Sequence, residues 1–330
     1  MAMLSRRVFL SLAGMLGTAA LAGCAPASEK AGELSTTLFC FDTVCTLRGV
    51  MPQEALDGAA ALCDRFEQLF SRTIETSDVA RINAAGGEPV EVAEETADLI
   101  AKALGYCEAS DGRFDITIGA VSQLWDFHNE VVPDHADIEA ALAHVDWHAV
   151  QADGTTVRLL DPKAAIDLGG IAKGWIADAL IAYFAGEGVE SACVNLGGNV
   201  AVLGSKPDGS PWRVGIQDPD SAEGEGLIAR IEIADGSVVT SGLYERSFER
   251  DGRRYWHILD PKTGYPVETS IESASIYASA SIDGDGYTKT LFFMEPAEGI
   301  AYLESLGLAG LVATTDDQLI ATSNSGFELL

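Results

Sequence analysis

Basic residues are scarce in this chain: 21 Lys and Arg stand against 50 Asp and Glu, a formal net charge of −29 over 330 residues. Nucleic-acid binding rests on neutralising phosphates with Lys and Arg, so this balance argues for no nucleic acid among the partners. It equally disfavours a polybasic role at a membrane surface. Metal-binding cysteine pairs are missing as well. None of the 6 cysteines shows C-x-x-C spacing and the 5 histidines are scattered, which disfavours a zinc site. Apart from Cys24, the thiols Cys40, Cys45, Cys63, Cys107 and Cys193 read as isolated buried residues, although an exported compartment would permit one disulfide among them. Cys40 and Cys45, five apart on one expected strand, should face opposite sides. No low-complexity segment interrupts the chain. A phosphate-bearing ligand would therefore need a specific local remedy.

What is present begins with an export signature. Ser5-Arg6-Arg7-Val8-Phe9-Leu10 reads as a twin-arginine signal, followed by an apolar stretch through Ala22 that is short and glycine-rich for a membrane-spanning helix. Leu21-Ala22-Gly23-Cys24 resembles a bacterial lipobox. The expectation is a signal peptide over 1–23, a lipidated Cys24 with a flexible tether over 24–35, and a folded domain over 36–330. That places the mature protein on the extracytoplasmic face of the bacterial cell membrane, anchored by lipid. Removing the signal leaves 19 basic against 50 acidic residues, about −31.

With 47% hydrophobic residues, 34 glycines and 11 prolines, the chain can bury a large core with many turns, as one domain or two intimate lobes. Leu38–Leu47 reads as a strand. Helical spacing of apolar residues predicts helices over Glu54–Phe70, Thr96–Cys107, Ile138–His144 and Ile171–Ala185. Strands follow at Ala192–Leu196, Val200–Leu203, Trp212–Ile216, Leu227–Ile233, Ser237–Thr240, Tyr255–Ile258 and Ser273–Tyr277. Thr288–Phe293 and Glu298–Ser305 read as helices, and two short strands close the chain. Helices gathered early and strands gathered late predict an α+β fold with a mainly antiparallel sheet.

The most informative stretch is Asp167-Leu-Gly-Gly-Ile-Ala-Lys-Gly174, which runs directly into a helix. Glycines there let backbone amides approach a phosphate, Lys173 supplies charge and Asp167 an acceptor. A βα turn with glycines also occurs without any ligand. Other constellations accumulate around it. Gly112–Gly119 (GRFDITIG) puts an acid and an aromatic at a helix end, and Asn195–Asn199 (NLGGN) is a second glycine pair. Thr240-Ser241-Gly242 offers hydroxyls, Tyr255–Pro266 an aromatic strand with His257, and Asp283–Thr290 (DGDGYTKT) acids before a helix. Each has a plainer explanation: ordinary turns, a hydrogen-bonded core histidine, a turn with an N-cap. Asp283-x-Asp285-Gly lacks the later glutamate of an EF-hand, and Trp125, Trp147 and Trp256 read as core.

In order along the chain, FDTV (41–44), FSR…SDVARIN (70–83), GRFDIT (112–117), DLGGIAKG (167–174), NLGGN (195–199), TSG (240–242), HILDPKTGYPV (257–267) and GDGYTKTLFFM (284–294) resemble the ApbE family of FAD:protein FMN transferases. The similarity runs from roughly Phe39 to Phe327. It implies an ApbE-like fold around an FAD site and a Mg²⁺-dependent transfer of FMN from FAD to a Thr or Ser hydroxyl of an exported flavoprotein, with AMP leaving. By the same resemblance Asp167, Lys173, Arg113, Phe114, Asp115, Thr240, Ser241 and Leu259 serve FAD, with Phe41 in place of a flavin-site methionine. Gly170 (through its carbonyl), Asp285 and Thr288 fall at metal-ligand positions, and His257 is the candidate general base.

Three positions depart from the family pattern. Lys289 stands four after Asp285, where an oxygen ligand to the metal is usual, and an ammonium cannot ligate a cation. Thr73 replaces a tyrosine that often packs on the flavin, and Asn199 replaces an aspartate. The same site would also suit a metal-dependent FAD pyrophosphatase or a non-catalytic FAD-binding lipoprotein.

Overall fold

A computed structural model of the chain describes residues 32–221 and 226–330; the expected signal and lipobox, Cys24 included, lie outside the described residues. The architecture follows from two periodicities. Along Ala192–Leu196, Ala192, Val194 and Leu196 are buried against helices, while Cys193 points the other way, into a cluster with Trp212, Val214 and Ile231. This alternation is what a strand with both faces covered requires. Along Gln53–Phe70, by contrast, Leu56, Ala59, Cys63, Phe66 and Phe70 recur at three- and four-residue steps and are buried.

The central sheet is antiparallel throughout and has eight strands. Their spatial order is their order along the chain: Gly32–Cys40, Thr43–Met51, Ala192–Leu196, Asn199–Leu203, Gly236–Gly242, Ile271–Ala278, Ala309–Thr314 and Leu319–Ala321. The helices Ala172–Gly186 and Ser281–Leu291 pack on each other and against this sheet. A three-stranded sheet of Trp212–Gln217, Leu227–Ile233 and Glu328–Leu329 covers its far side through the Trp212 cluster. Residues Ala31–Leu330 form one compact unit. The expected α+β class with mainly antiparallel sheet holds. Among the described residues no helix is long and apolar enough to cross a membrane.

The structure corrects the sequence reading in three places that bear on the site. Leu38–Leu47 is a hairpin, turning at Phe41 and Asp42, both at positive φ (55° and 58°). Cys40 and Cys45 therefore share one buried face: the register pairs Leu38 with Cys45, and Cys40 lies two residues from Leu38. The Cys45 thiol donates to the Cys40 carbonyl at 3.7 Å, and Cys63 stands close enough to help push the Cys40 thiol up to about 12. All five described thiols are free and buried, but these three are clustered. Second, Asp283–Thr290 is not a turn before a helix; it lies within the helix Ser281–Leu291. Its glycines are flat packing spots, since a Cβ on Gly284 would stand 2.5 Å from Val239 and one on Gly286 2.4 Å from Tyr106. Asp178, from the neighbouring helix, caps its start by accepting from Ser281 N and Ile282 N at 2.6 and 3.0 Å. Third, the strand expected over Tyr255–Ile258 is Arg253–Trp256, so His257 lies just past its end.

Candidate active site

The loop 167–174 and the Ser281–Leu291 helix meet where Gly174 allows it. A Cβ at Gly174 would lie 2.7 Å from Ser281 O and Ile282 Cα, so only glycine permits this approach. The close approach lets Gly174 N donate to Asp285 Oδ2 at 2.6 Å. Asn199 Nδ2 donates to the same oxygen at 2.8 Å, and Lys289 Nζ pairs with Oδ1 at 2.5 Å. The Asp285 side chain is 1% exposed and that of Lys289 16%. Burying a carboxylate is costly, and these three donors offset that cost.

Asp167 anchors the other end of the loop. Its Oδ1 accepts from Gly169 N at 2.9 Å; its Oδ2 accepts from Ser122 Oγ at 2.8 Å and pairs with Arg72 at 3.4 Å. Lys173 reaches across to the hairpin turn of the NLGGN segment, donating to Gly197 O at 3.4 Å. Gly197 and Gly198 both adopt positive φ there, which the tight turn demands. Phe114 is buried beside Gly170, whose added Cβ would lie 3.1 Å from the Phe114 ring.

The third wall carries His257. Its backbone N donates to Arg246 O at 3.1 Å, and its Nδ1 is buried with no hydrogen-bond partner. Burial first, then the charges of Arg246, Lys289 and Lys173, lower the imidazole to about 3, so it is neutral at neutral pH. Burial likewise raises the Glu245 carboxyl, with Lys173 and Lys289 opposing the shift. Glu245 keeps a solvent-exposed surface, yet protein surrounds it closely enough for desolvation to dominate. Arg246 pairs with Asp42 at 3.1 Å, tying this wall to the Phe41–Asp42 turn. Phe41 itself is half-buried, and its N donates to Glu67 Oε1 at 3.1 Å.

Other expected site residues are committed locally. Asp115 is buried and raised by desolvation; its oxygens accept from Thr117 N and Oγ1 at 2.7 and 2.6 Å and from Trp147 N at 3.2 Å. Thr240 Oγ1 bonds Ser275 Oγ at 2.7 Å, and Ser241 Oγ bonds Thr288 Oγ1 at 2.9 Å. Arg113 donates to Ser110 O at 3.3 Å, Thr73 bonds Ser71 Oγ at 3.1 Å on an exposed turn, and Leu259 is buried. Glu245, Arg246 and Gly174's amide were outside the sequence reading of the site. Only Gly174 had a signal, as the last glycine of a loop entering a helix.

A divalent cation does not fit this arrangement. Magnesium takes six oxygens, several of them water or substrate phosphate, and relies on one or two protein carboxylates to hold it. Here Asp285 has both oxygens paired, the Thr288 and Ser241 hydroxyls bond each other, and the residue at the expected ligand position is an ammonium. No group of three or more His, Cys, Asp or Glu among the described residues could hold a metal. Even two unit charges 4 Å apart repel by about 4 kcal/mol at an effective dielectric near 20.

The ApbE family model matches residues 41–312. An FAD:protein FMN transferase of Klebsiella pneumoniae is 42% identical over 247 residues, 73% of this chain and 76% of that protein. One of Treponema pallidum is 34% identical over 316 residues, 88% of this chain and 87% of its own length. The crystal structure of the ApbE protein of Thermotoga maritima superposes with a TM-score of 0.82 at 32% identity, covering 88% of this chain and 97% of that one. The flavin transferase ApbE of Vibrio cholerae gives 0.80 at 27% identity, covering 89% and 98%. The motifs at the cleft, the fold and the sequence agree, and the chain belongs to the ApbE family.

Proposed function

We propose that this protein is an FAD:protein FMN transferase: it moves the FMN portion of FAD onto a Thr or Ser hydroxyl of an acceptor protein and releases AMP. The observation that carries the reading is the match, over nearly the whole described domain, to proteins of that name. In the transfer, the acceptor oxygen forms a bond to the flavin-side phosphorus and the bridging P–O bond breaks. The bond's electron pair leaves on the AMP phosphate, and the hydroxyl proton passes to a base.

The residues of the cleft suit that chemistry. Lys173, Lys289 and Arg246 supply positive charge around the pyrophosphate in a chain of net charge −29. The neutral imidazole of His257, with Nδ1 unpartnered, is the base we assign to the acceptor hydroxyl. A bound pyrophosphate offsets the cations that depress His257 and so raises its basicity. Magnesium, the metal expected from the resemblance, finds no donor set that fits, and no step is assigned to it. We place the protein on the extracytoplasmic face of the cell membrane, tethered through lipid on Cys24, where its acceptor would be an exported flavoprotein.

The reading is tested by quantifying AMP and protein-bound flavin when the protein is incubated with FAD and an exported flavoprotein. Equal amounts of the two are expected. AMP matched instead by free FMN would make the protein a pyrophosphatase.

A further inference from the structure

A cation is already built into the wall opposite the glycine loop. Lys289 leaves the helix one turn after Asp285, and its ammonium sits 2.5 Å from Oδ1 with 16% of the side chain still exposed. An ammonium has three N–H donors and no acceptor, so one donor is spent on the carboxylate and the others remain for a ligand. Nothing around Asp285 invites a metal in its place. Oδ2 is filled by Gly174 N and Asn199 Nδ2, and Asn199 presents a neutral amide where a second carboxylate could have shared a cation. Asn199 Oδ1 is buried without a partner, and a neutral amide oxygen brings none of the negative charge that a carboxylate ligand gives magnesium. Lys289 also acts on His257 and Glu245 together with Lys173, so both lysines charge the same cleft.

We propose that the Lys289 ammonium stands in for a divalent cation: it holds the charge of Asp285 and donates its remaining N–H groups to the pyrophosphate of FAD, so that this protein binds FAD without magnesium. A lysine serves phosphate as a point charge, without the directional shell a metal imposes. The cost is geometric. An ammonium on a four-carbon stem fixes the phosphate oxygens less rigidly than an octahedral ion would. The inference rests on the reading of the cleft as an FAD site.

The test begins with the unaltered protein. FAD is titrated by flavin fluorescence in EDTA and again in millimolar MgCl₂, and Mn²⁺ is titrated by electron paramagnetic resonance with FAD present. The expected result is FAD affinity equal within about twofold in the two buffers and no tightly bound Mn²⁺. A tenfold or greater tightening by magnesium, or one Mn²⁺ bound per chain, overturns the inference. The variant Lys289→Thr, which offers a hydroxyl and removes the charge, should lose at least tenfold in FAD affinity in EDTA and regain it with magnesium. Unchanged FAD affinity in EDTA would overturn the assignment. The wild-type titrations decide the matter even if the variant folds poorly. They also separate the two readings. Magnesium-dependent FAD binding with acceptor flavinylation sinks this inference and leaves the transferase standing; magnesium-free FAD binding with no flavinylation does the reverse.

Discussion

The two walls of the cleft use the same chemical vocabulary for different ends. The loop 167–174 pairs a carboxylate with a lysine six residues later, yet Asp167 and Lys173 do not touch; each bonds a separate partner. On the helix Ser281–Leu291, Asp285 and Lys289 lie one turn apart and pair directly. The loop keeps Lys173 on a single weak bond to Gly197 O, available for exchange with an anion. The helix holds its carboxylate in a buried network in which both oxygens accept. Charge composition alone therefore does not tell a lysine held only by a backbone carbonyl from one held by a buried carboxylate; the partner each ammonium has in the fold does.

The largest effect should come from breaking the committed wall. Asp285→Ala leaves the Lys289 ammonium, Gly174 N and Asn199 Nδ2 without their acceptor, and removing one partner of a buried pair costs about 3–5 kcal/mol. Chemical denaturation should show that loss; a change under 1 kcal/mol would mean the network contributes little. Next is His257→Ala, which should slow FMN transfer by roughly 100-fold or more and leave FAD affinity within about twofold. Loss of FAD binding would make His257 a packing residue instead. Gly174→Ala tests how the walls meet: its Cβ would lie 2.7 Å from Ser281 O, and such overpacking costs about 1–3 kcal/mol. Unaltered stability would show that the helices can separate freely.

A smaller, pH-dependent effect sharpens the contrast further. Burial and three nearby cations lower His257 to about 3, against 6.5 when unfolded. Between those values the unfolded chain binds a proton that the folded one does not, so stability falls as pH drops through that window. His257→Asn should therefore lose less melting temperature than wild type between pH 7 and pH 4.5. Equal losses would show that the imidazole takes up a proton in the folded state. The smallest change is expected at Arg230→Ala, which removes an exposed, solvent-screened pair with Glu328 and should leave the denaturation midpoint nearly where it was.

Much of this was legible in the sequence, for identifiable reasons. Ala192–Leu196 is a short run buried on both faces and Leu227–Ile233 shows period-two burial, and the bounds of both match the structure. The glycine loop and His257 were visible as motifs, and Lys173 of the loop is near enough to help lower the His257 imidazole. The Phe41–Asp42 turn was hidden because Phe41, unlike Asp42, is not a usual occupant of left-handed backbone, and no glycine follows to mark the turn. Gly284 and Gly286 looked like turn residues because sequence cannot distinguish a glycine needed for φ from one needed for space against Val239 and Tyr106. Glu245 and Arg246 carry no local pattern; the hairpin of Ser247–Arg250 with Arg253–Trp256 sets Arg246 O opposite His257 N. Lys289 was conspicuous, but its pairing with Asp285 became readable only once both were placed on one helix.

The central claim is transfer of FMN to protein, and intact mass of the acceptor tests it most directly. An exported flavoprotein incubated with this protein and FAD should gain the mass of one FMN less one water at a Thr or Ser, and the gain should persist after denaturation. An acceptor of unchanged mass, with FAD intact or split to free FMN and AMP, would contradict the account.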